Sequence, residues 1–136
     1  MSRIRRVLGS KIHRARVTHA DLHYEGSITL PPDLMEAAQI HQYEHVHVWN
    51  VTRGTRLETY AIEGQEDSRE ICVNGAAAHL ASPGDIVIIA NFIDIPENEI
   101  NTHHPRIVLV DHDNNMKAVT EDEIPGPLSP KTTANK

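Results

Sequence analysis

Short apolar segments separated by turn signals recur along most of the chain. The segment His45 to Val51 alternates polar and apolar residues with a period of two, which predicts a strand whose three valines share one buried face. A turn at Thr52 to Thr55 leads to a return strand from Arg56 to Ile62, so the two strands are expected to form a hairpin. The run Ile86 to Ala90 is apolar throughout, which is typical of a strand buried on both faces.

The other segments predict shorter elements. Further strands are expected over residues 11–18, 22–30 (interrupted at Gly26), 69–73 and 106–110, with helical turns at 76–80 and 96–101 and turns at 18–21, 82–85 and 111–115. A short helix is expected to run to Gln39, with Asp33 as its N-cap and Glu36 completing a capping box. Many short strands with turns between them predict a mainly β fold, a small barrel with short helices.

Composition limits the size and the location of this fold. A chain of 136 residues is expected to form one domain, and its 4% of aromatic residues require a core of Val, Ile, Leu and Ala. Residues 119–136 are polar and rich in proline, so a flexible tail is expected after a domain of residues 1–118. The single cysteine, Cys72, and the absence of a signal peptide or a long apolar run predict a soluble cytoplasmic protein.

Charge narrows the classes of partner. The 13 basic and 19 acidic residues give a net charge of −6, which argues against general binding to nucleic acid or to anionic membranes. The densest positive charge nevertheless lies shortly before Ser27, at Lys11, His13, Arg14 and Arg16. These residues are either a solvated strand face or a site for an anionic substrate, and the sequence leaves both interpretations open.

The dipeptide Gly26-Ser27 is the strongest candidate for covalent chemistry. A serine hydroxyl can attack the carbonyl before it, and glycine allows the close approach and the unusual backbone conformations that this attack needs. The resulting ester can eliminate the Gly26 carboxylate to leave dehydroalanine, which becomes a pyruvoyl group when water replaces its nitrogen. Such a ketone binds amines and withdraws electrons. A Gly-Ser pair is also common in ordinary turns, so only the surrounding residues can distinguish a cleavage site from a turn.

Those surroundings resemble a known family. Lys11-Ile12-His13 and Val17 to Leu22, running into Tyr24-Glu25-Gly26-Ser27, are similar to the N-terminal signature of the bacterial pyruvoyl-dependent aspartate decarboxylases. Later blocks match in the same order, namely Trp49 to Val51, Thr59 to Ile62, Val73 to His79 and Gly84 to Ile89. The resemblance covers roughly the first 118 residues. It implies a six-stranded double-psi β-barrel and a homotetramer with active sites between neighbouring subunits.

The resemblance also implies a reaction. Cleavage between Gly26 and Ser27 would turn Ser27 into the covalent pyruvoyl cofactor, which would accept the amine of L-aspartate. Loss of the α-carboxylate as CO₂ would then give β-alanine for pantothenate synthesis, with Tyr60 as the proton donor. Thr59 matches the residue that assists cleavage by hydrogen bonding at the Gly26 carbonyl. Some relatives need a maturation factor, and the sequence leaves open whether this chain does.

Substrate-binding residues are carried over from the same resemblance. Lys11 and Arg56 match groups that hold the substrate carboxylates, a task that suits the planar fork of arginine. The substrate-binding set is Lys11, Arg56, Thr59, Asn74, Gly75, Ala76 and Ala77, with His13 and Tyr24 as further site residues of less definite role, and no metal ligand is expected. In an ideal strand Arg56 and Tyr60 share a face while Thr59 points the other way. Either the strand bulges or twists, or adjoining subunits use different faces.

A non-catalytic β-barrel that binds metal or DNA is the alternative. His45 and His47 on one strand face, and the adjacent His103-His104, suggest metal ligands, but no third ligand has a recognisable spacing. The basic N-terminal stretch suggests a DNA-binding barrel, against which the net negative charge and the context of Gly26-Ser27 both weigh.

Overall fold

The computed structural model describes residues 3–127, and within them the chain is mainly β, as predicted. The strands are β1 (Ile4–Arg16), β2 (His19–Asp21), β3 (Ser27–Leu30), β4 (His45–Asn50), β5 (Arg56–Glu63), β6 (Cys72–Asn74), β7 (Ile86–Pro96), β8 (Arg106–Val110) and β9 (Met116–Thr120). They form one barrel-like sheet in the order β2-β6-β3-β5-β4-β7-β1-β8-β9. Its closure into a six-stranded barrel stays a prediction.

The predicted helix is present, but its predicted cap is wrong. Helix α1 spans Pro32–Ala38, and its N-cap is Pro31, which makes no side-chain capping bond. The helix begins earlier than expected because proline has its φ angle already set for the first helical turn and has no N–H to satisfy. Asp33 therefore lies inside the first turn, where its carboxylate accepts a hydrogen bond from Arg69 instead. The two helical turns are 3-10 helices, Gly75–His79 and Glu97–Thr102.

Two strand predictions are corrected by tertiary contacts. The sequence predicts a turn over Thr18 to Asp21, but His19–Asp21 is strand β2, which pairs in parallel with β6. The expected strand from Leu22 to Leu30 begins only at Ser27, and the residues before it form a loop. Pairing with a distant strand satisfies the backbone of His19–Asp21, and this partner lies too far along the chain for local patterns to reveal it.

Burial also differs from the pattern in the hairpin and in the apolar run. Val46 and Val48 are buried, but Val51 is 45% exposed, because the third inward position of β4 is Asn50. Strand β7 extends to Pro96, and Ile86 and Ile88 are only half-buried, so the apolar run is not covered on both faces. The core is built from branched aliphatic residues, as the composition predicts, and its largest fully buried side chains are Ile12, Ile28, Leu30, Leu34, Ile71 and Ile89.

The C-terminal segment crosses the predicted boundary at residue 118. Strand β9 pairs with β8 from Ile107↔Thr120 to Val110↔Met116. Beyond it, the Glu123 carboxylate forms an ion pair with the Lys11 ammonium. Residues 128–136 of the predicted tail lie outside the described residues. No helix within residues 3–127 is long and apolar enough to span a lipid bilayer.

Candidate active site

Strand β6 holds the chain on both sides of the Gly26-Ser27 peptide. It pairs in parallel with β2, where Asn74 lies opposite Asp21, and antiparallel with β3, where Asn74 lies opposite Ser27. Residues 22–26 form the loop that joins these two strands. A cut after Gly26 would therefore leave one new end attached to β2 and the other to β3, both hydrogen-bonded to the same strand.

The Ser27 hydroxyl is buried and held by two neighbours. Ser27 is only 4% exposed, and its Oγ accepts a hydrogen bond from Asn74 Nδ2 at 3.2 Å. The same hydroxyl donates to the Glu25 carbonyl oxygen at 3.4 Å. Asn74 Nδ2 is also 3.3 Å from Thr29 Oγ1. The Asn74 amide therefore orients a hydroxyl that directly follows the Gly26 carbonyl in the chain.

The glycine that this geometry demands is Gly75. Its φ is +72°, and a Cβ at residue 75 would lie 2.6 Å from Gly26 Cα and 2.8 Å from Gly26 N. Any other residue would clash with backbone atoms of the candidate cleavage site. Gly26 has no positive φ, and a Cβ added there would be 4.0 Å from its nearest neighbour, Asn74 O. The close backbone contact that the sequence predicts at Gly26 is therefore present, but it depends on the missing Cβ of Gly75, not on that of Gly26.

These contacts test whether a group derived from Ser27 fits its surroundings. A pyruvoyl group would occupy the position of Ser27, at the start of β3, within reach of the Asn74 amide. Because Gly75 has no Cβ, the side chain of residue 75 does not obstruct the backbone next to position 27. The residues present therefore fit a small carbonyl group at position 27.

Tyr60 lies on the strand next to Ser27. Strands β3 and β5 are parallel, with Ile28 opposite Ala61, so Ser27 and Tyr60 each immediately precede this pair. Ile28 and Ala61 are fully buried in the core. Because side chains alternate along a strand, Ser27 and Tyr60 both project away from that core side. The register thus places the candidate nucleophile and the candidate proton donor at the same level of adjacent strands.

Thr59 and Tyr60 do point to opposite sides of β5. Arg56, Glu58 and Tyr60 are exposed, whereas Leu57 and Thr59 are half-buried and Ala61 is buried. The pairing of β4 with β5 runs without a register break from His45↔Tyr60 to Trp49↔Arg56. A bulge therefore does not bring Thr59 and Tyr60 to one face within this segment. A twist of the strand and the use of different faces by adjoining subunits are the explanations that remain.

The outer face of the β4–β5 hairpin carries exposed aromatic and cationic groups. The Arg56 guanidinium carbon lies 5.2 Å from the ring centroid of Trp49, a cation–π arrangement. The rings of Tyr43 and Tyr60 have centroids 6.2 Å apart. Since the guanidinium is held on Trp49 and remains exposed, it is available to a carboxylate that approaches this face.

Lys11 and His13 lie on β1, which is not adjacent to β3 in the sheet. Strands β5, β4 and β7 lie between them in the strand order. The His13 Nδ1 atom is buried and has no hydrogen-bond partner among the described residues. Burial lowers the pKa of His13, and the neighbouring charges of Lys11 and Arg14 lower it further. The structure therefore brings Gly26, Ser27, Asn74 and Gly75 together but leaves Lys11 and His13 on a separate strand.

The remaining predicted residues lie around the same loop. Tyr24 is 65% exposed, and its carbonyl oxygen lies 3.1 Å from the position of a Cβ at residue 75. In the 3-10 helix Ala76 is exposed, and Ala77 is half-buried against the core. A groove of about 530 Å³ opens beside this loop, and Tyr24, Thr29 and Asn74 are among its lining residues. A larger groove of about 910 Å³, beside α1, contains none of the predicted site residues.

Sequence reasoning missed three residues that support or contact the site. Thr29 shares the Asn74 amide with Ser27, and its position two residues after Ser27 on the same strand was the available signal. Glu123 pairs with Lys11 from a segment that has no periodic pattern. Asp85 is 3% exposed and accepts hydrogen bonds from Asn50 Nδ2 at 2.9 Å and Arg53 Nε at 2.6 Å, which ties the hairpin to the loop before β7.

The fold and the site together define a class: a small mainly β protein with a buried serine that directly follows a glycine and is held by an asparagine amide. Comparison with known proteins then specifies the family. A family model described as aspartate decarboxylase matches residues 3–117. The chain is 59% identical over 123 residues to the aspartate 1-decarboxylase of Rhodopirellula baltica, covering 90% of this chain and 78% of the relative.

Two further relatives carry the same name. The aspartate 1-decarboxylase of Legionella pneumophila is 58% identical over 120 residues, covering 88% of this chain and 90% of the relative. That of Myxococcus xanthus is 56% identical over 125 residues, covering 91% and 96%. The chain belongs to the aspartate decarboxylase family.

Proposed function

We propose that this protein is a cytoplasmic enzyme that removes the α-carboxylate of L-aspartate as CO₂ and produces β-alanine for pantothenate synthesis. The observation that carries the proposal is the buried Ser27 hydroxyl, held between Asn74 Nδ2 and the Glu25 carbonyl in a chain of this family. Membership of the family also favours catalysis over a non-catalytic barrel that binds metal or DNA.

Self-processing is the first step of the proposed chemistry. Ser27 Oγ attacks the Gly26 carbonyl carbon, the C–N bond breaks, and the acyl group moves to oxygen as an ester. Loss of the Ser27 Cα proton then breaks the C–O bond, which releases the Gly26 carboxylate and leaves dehydroalanine. Water replaces the nitrogen, and ammonia leaves. Asn74 positions the attacking hydroxyl, and Thr59 is the proposed hydrogen-bond donor at the Gly26 carbonyl.

The mature site would then bind aspartate through charge and donate one proton. The pyruvoyl group supplies a ketone that accepts the substrate amine and withdraws electrons. Arg56, stacked on Trp49, and Lys11 are the proposed partners of the two carboxylates. Asn74 and the backbone of Gly75, Ala76 and Ala77 form the proposed substrate-binding loop. Tyr60 delivers its hydroxyl proton to the Cα that has lost CO₂.

Assembly of this site requires more than one copy of the chain. Thr59 and Tyr60 project to opposite sides of β5, and Lys11 lies on a strand remote from Ser27 in the sheet order. A homotetramer with each site between two neighbouring subunits reconciles these positions. A mixture of Ser27→Ala and Lys11→Ala chains, assembled together, should then regain activity above that of either variant alone. No recovery in verified mixed oligomers would contradict a shared site.

Intact-mass spectrometry tests the function as a whole. The purified protein, incubated alone and then reduced with borohydride in the presence of aspartate, should give two fragments that meet at Gly26 and Ser27. The larger fragment should lack a free amine and gain the mass of reduced, bound aspartate. Cleavage in the purified protein would show that no maturation factor is required. A chain that stays uncut even after incubation with cell extract would contradict the proposal.

A further inference from the structure

Three metal-ligating side chains meet on the outer face of the β4–β5 hairpin. His47 lies directly opposite Glu58 in the antiparallel pairing, and His45 occupies the same face two residues earlier. His45 Nε2 is 2.7 Å from Glu58 Oε1, and His47 Nε2 is 3.8 Å from the same oxygen. The three ligand atoms lie within 4.8 Å of one another. The sequence offered the two histidines, and the hairpin register supplies the third ligand.

These separations match what a tetrahedral ion needs. Zinc binds histidine nitrogen and carboxylate oxygen at about 2.0–2.2 Å, so two ligands of one ion lie about 3.3 Å apart. The observed contacts of 2.7 and 3.8 Å lie on either side of that value. Small rotations of the exposed His45 and Glu58 side chains would bring both distances towards that value. Two histidines and one carboxylate leave a fourth position for water, a known zinc ligand set.

The surroundings of His47 restrict its movement. Its ring packs edge-on against Phe92 with centroids 5.2 Å apart, and its side chain is 29% exposed. Hydrogen bonding between β4 and β5 fixes the backbone positions of all three residues. His45 and Glu58 are each about 60% exposed, so an ion can enter from solvent without opening the fold. The cluster thus combines one held ligand with two accessible ones.

We propose that His45, His47 and Glu58 bind one divalent transition-metal ion of the zinc class per chain. This site is separate from the Ser27 contacts and requires neither cleavage nor decarboxylation. Glu58 lies between Arg56 and Tyr60 on the exposed face of β5, about 7 Å along the strand from each. A bound ion would therefore place positive charge beside groups assigned above to the substrate.

A second group of possible ligands must be separated from the first in any test. His19, Glu70 and Cys72 also bring three ligand atoms within 4.8 Å. In that group His19 Nδ1 is already hydrogen-bonded to Thr18 Oγ1 at 2.8 Å. Burial raises the pKa of the Cys72 thiol, which disfavours the thiolate that binds metal. The Cys72→Ser chain removes this competitor and is the suitable background.

Calorimetric titration of Zn²⁺ into the full, chelator-treated Cys72→Ser chain tests the proposal. One ion should bind per chain, and Co²⁺ in its place should give the intense visible absorption of tetrahedral coordination. His47→Ala and Glu58→Gln should each weaken Zn²⁺ affinity by about tenfold or more, since even loss of an outer-shell partner can cost that much. His41→Ala, an exposed histidine outside both groups, should leave affinity unchanged.

Two results would overturn this site. One is the absence of zinc binding in the Cys72→Ser background. The other is unchanged affinity in both His47→Ala and Glu58→Gln, with circular dichroism showing that both variants are folded. Because binding is measured directly, neither result depends on whether the protein decarboxylates aspartate.

Discussion

Gly75 packs directly against Gly26, so closely that a Cβ at residue 75 would lie 2.6 Å from Gly26 Cα. The candidate cleavage peptide is thus shaped by a residue far along the chain, at the junction of β6 and the first 3-10 helix. Asn74, its neighbour, holds the Ser27 hydroxyl. One short segment therefore both crowds the backbone at Gly26 and orients the attacking group.

Gly75→Ala should impair self-cleavage. The added methyl group would collide with backbone atoms of Gly26, and the φ of +72° is unfavourable for alanine. We expect the unfolding free energy to fall by about 1–3 kcal/mol, with little or no cut chain in mass spectra. Gly54→Ala is the matched control, because Gly54 has a φ of +76° with nothing within 4 Å of its added Cβ. Equal cleavage in the two variants would refute a specific role for the contact.

Ser27→Ala should fold, remain uncut and lack decarboxylase activity. The substitution removes the attacking oxygen and, with it, the origin of the ketone. Alanine fits the buried position without a clash, but it leaves the Asn74 amide with Thr29 as its remaining side-chain partner, so stability should fall by about 1 kcal/mol. Mass spectrometry and a CO₂-release assay check this expectation. Persistent cleavage after Gly26 would show that another nucleophile acts.

Tyr60→Phe should still process itself yet decarboxylate slowly. Only the hydroxyl group, the proposed proton donor, is lost, and removal of a general acid typically lowers the rate by about 10²–10⁴-fold. Tyr43→Phe is the control, because Tyr43 is 70% exposed and its ring lies beside that of Tyr60. Comparison of kcat for the two variants separates proton donation from the loss of a surface hydroxyl. A near-normal kcat in Tyr60→Phe would exclude its proposed role.

Glu123→Gln should lower KM for aspartate. The Lys11 ammonium forms an ion pair with the Glu123 carboxylate. A substrate carboxylate that binds Lys11 would have to displace Glu123. Neutralising Glu123 should reduce KM by about two- to five-fold, in line with an ion pair worth about 0.4–1 kcal/mol, and leave kcat unchanged. Asp122→Asn, which removes only a contact with His104, is the control. A raised KM in Glu123→Gln would instead show that Glu123 positions Lys11.

Asp85 should make stability depend on acidic pH. Its burial opposes ionisation, but hydrogen bonds from Asn50, Ser82 and Arg53 outweigh this effect and hold the pKa of Asp85 below its ordinary value of 3.8. The ionised carboxylate therefore stabilises the fold fully above about pH 5, where the unfolded chain is also ionised, and that contribution is lost progressively as the pH falls through the lower pKa of the folded state.

Asp85→Asn should remove this contribution, at a cost of about 1–3 kcal/mol at neutral pH. The difference from the parent chain should shrink below pH 4 in urea unfolding measured from pH 3 to 7. Asp113→Asn, at an exposed turn residue, should change stability little. A difference that stays constant down to pH 3 would contradict the linkage.

Local patterns were sufficient for the elements that depend on neighbouring residues. The alternation at His45 to Asn50, the return strand from Arg56 and the short helix before Gln39 all follow from side-chain period and turn chemistry. The position of Ser27 after Gly26 needed no structure either, since it is a property of the chain order. Such features involve contacts over a few residues, which composition and spacing encode directly.

Tertiary structure alone decided which distant segments meet. Strand β2 forms because β6 lies beside it, and Glu58 lies beside His45 and His47 because of the hairpin register. Lys11 pairs with Glu123, which lies near the opposite end of the described chain. Likewise, only the packing reveals that Gly75 rather than Gly26 has the unusual φ. These outcomes depend on hydrogen bonds and steric fit between residues far apart in sequence, for which a local pattern carries no signal.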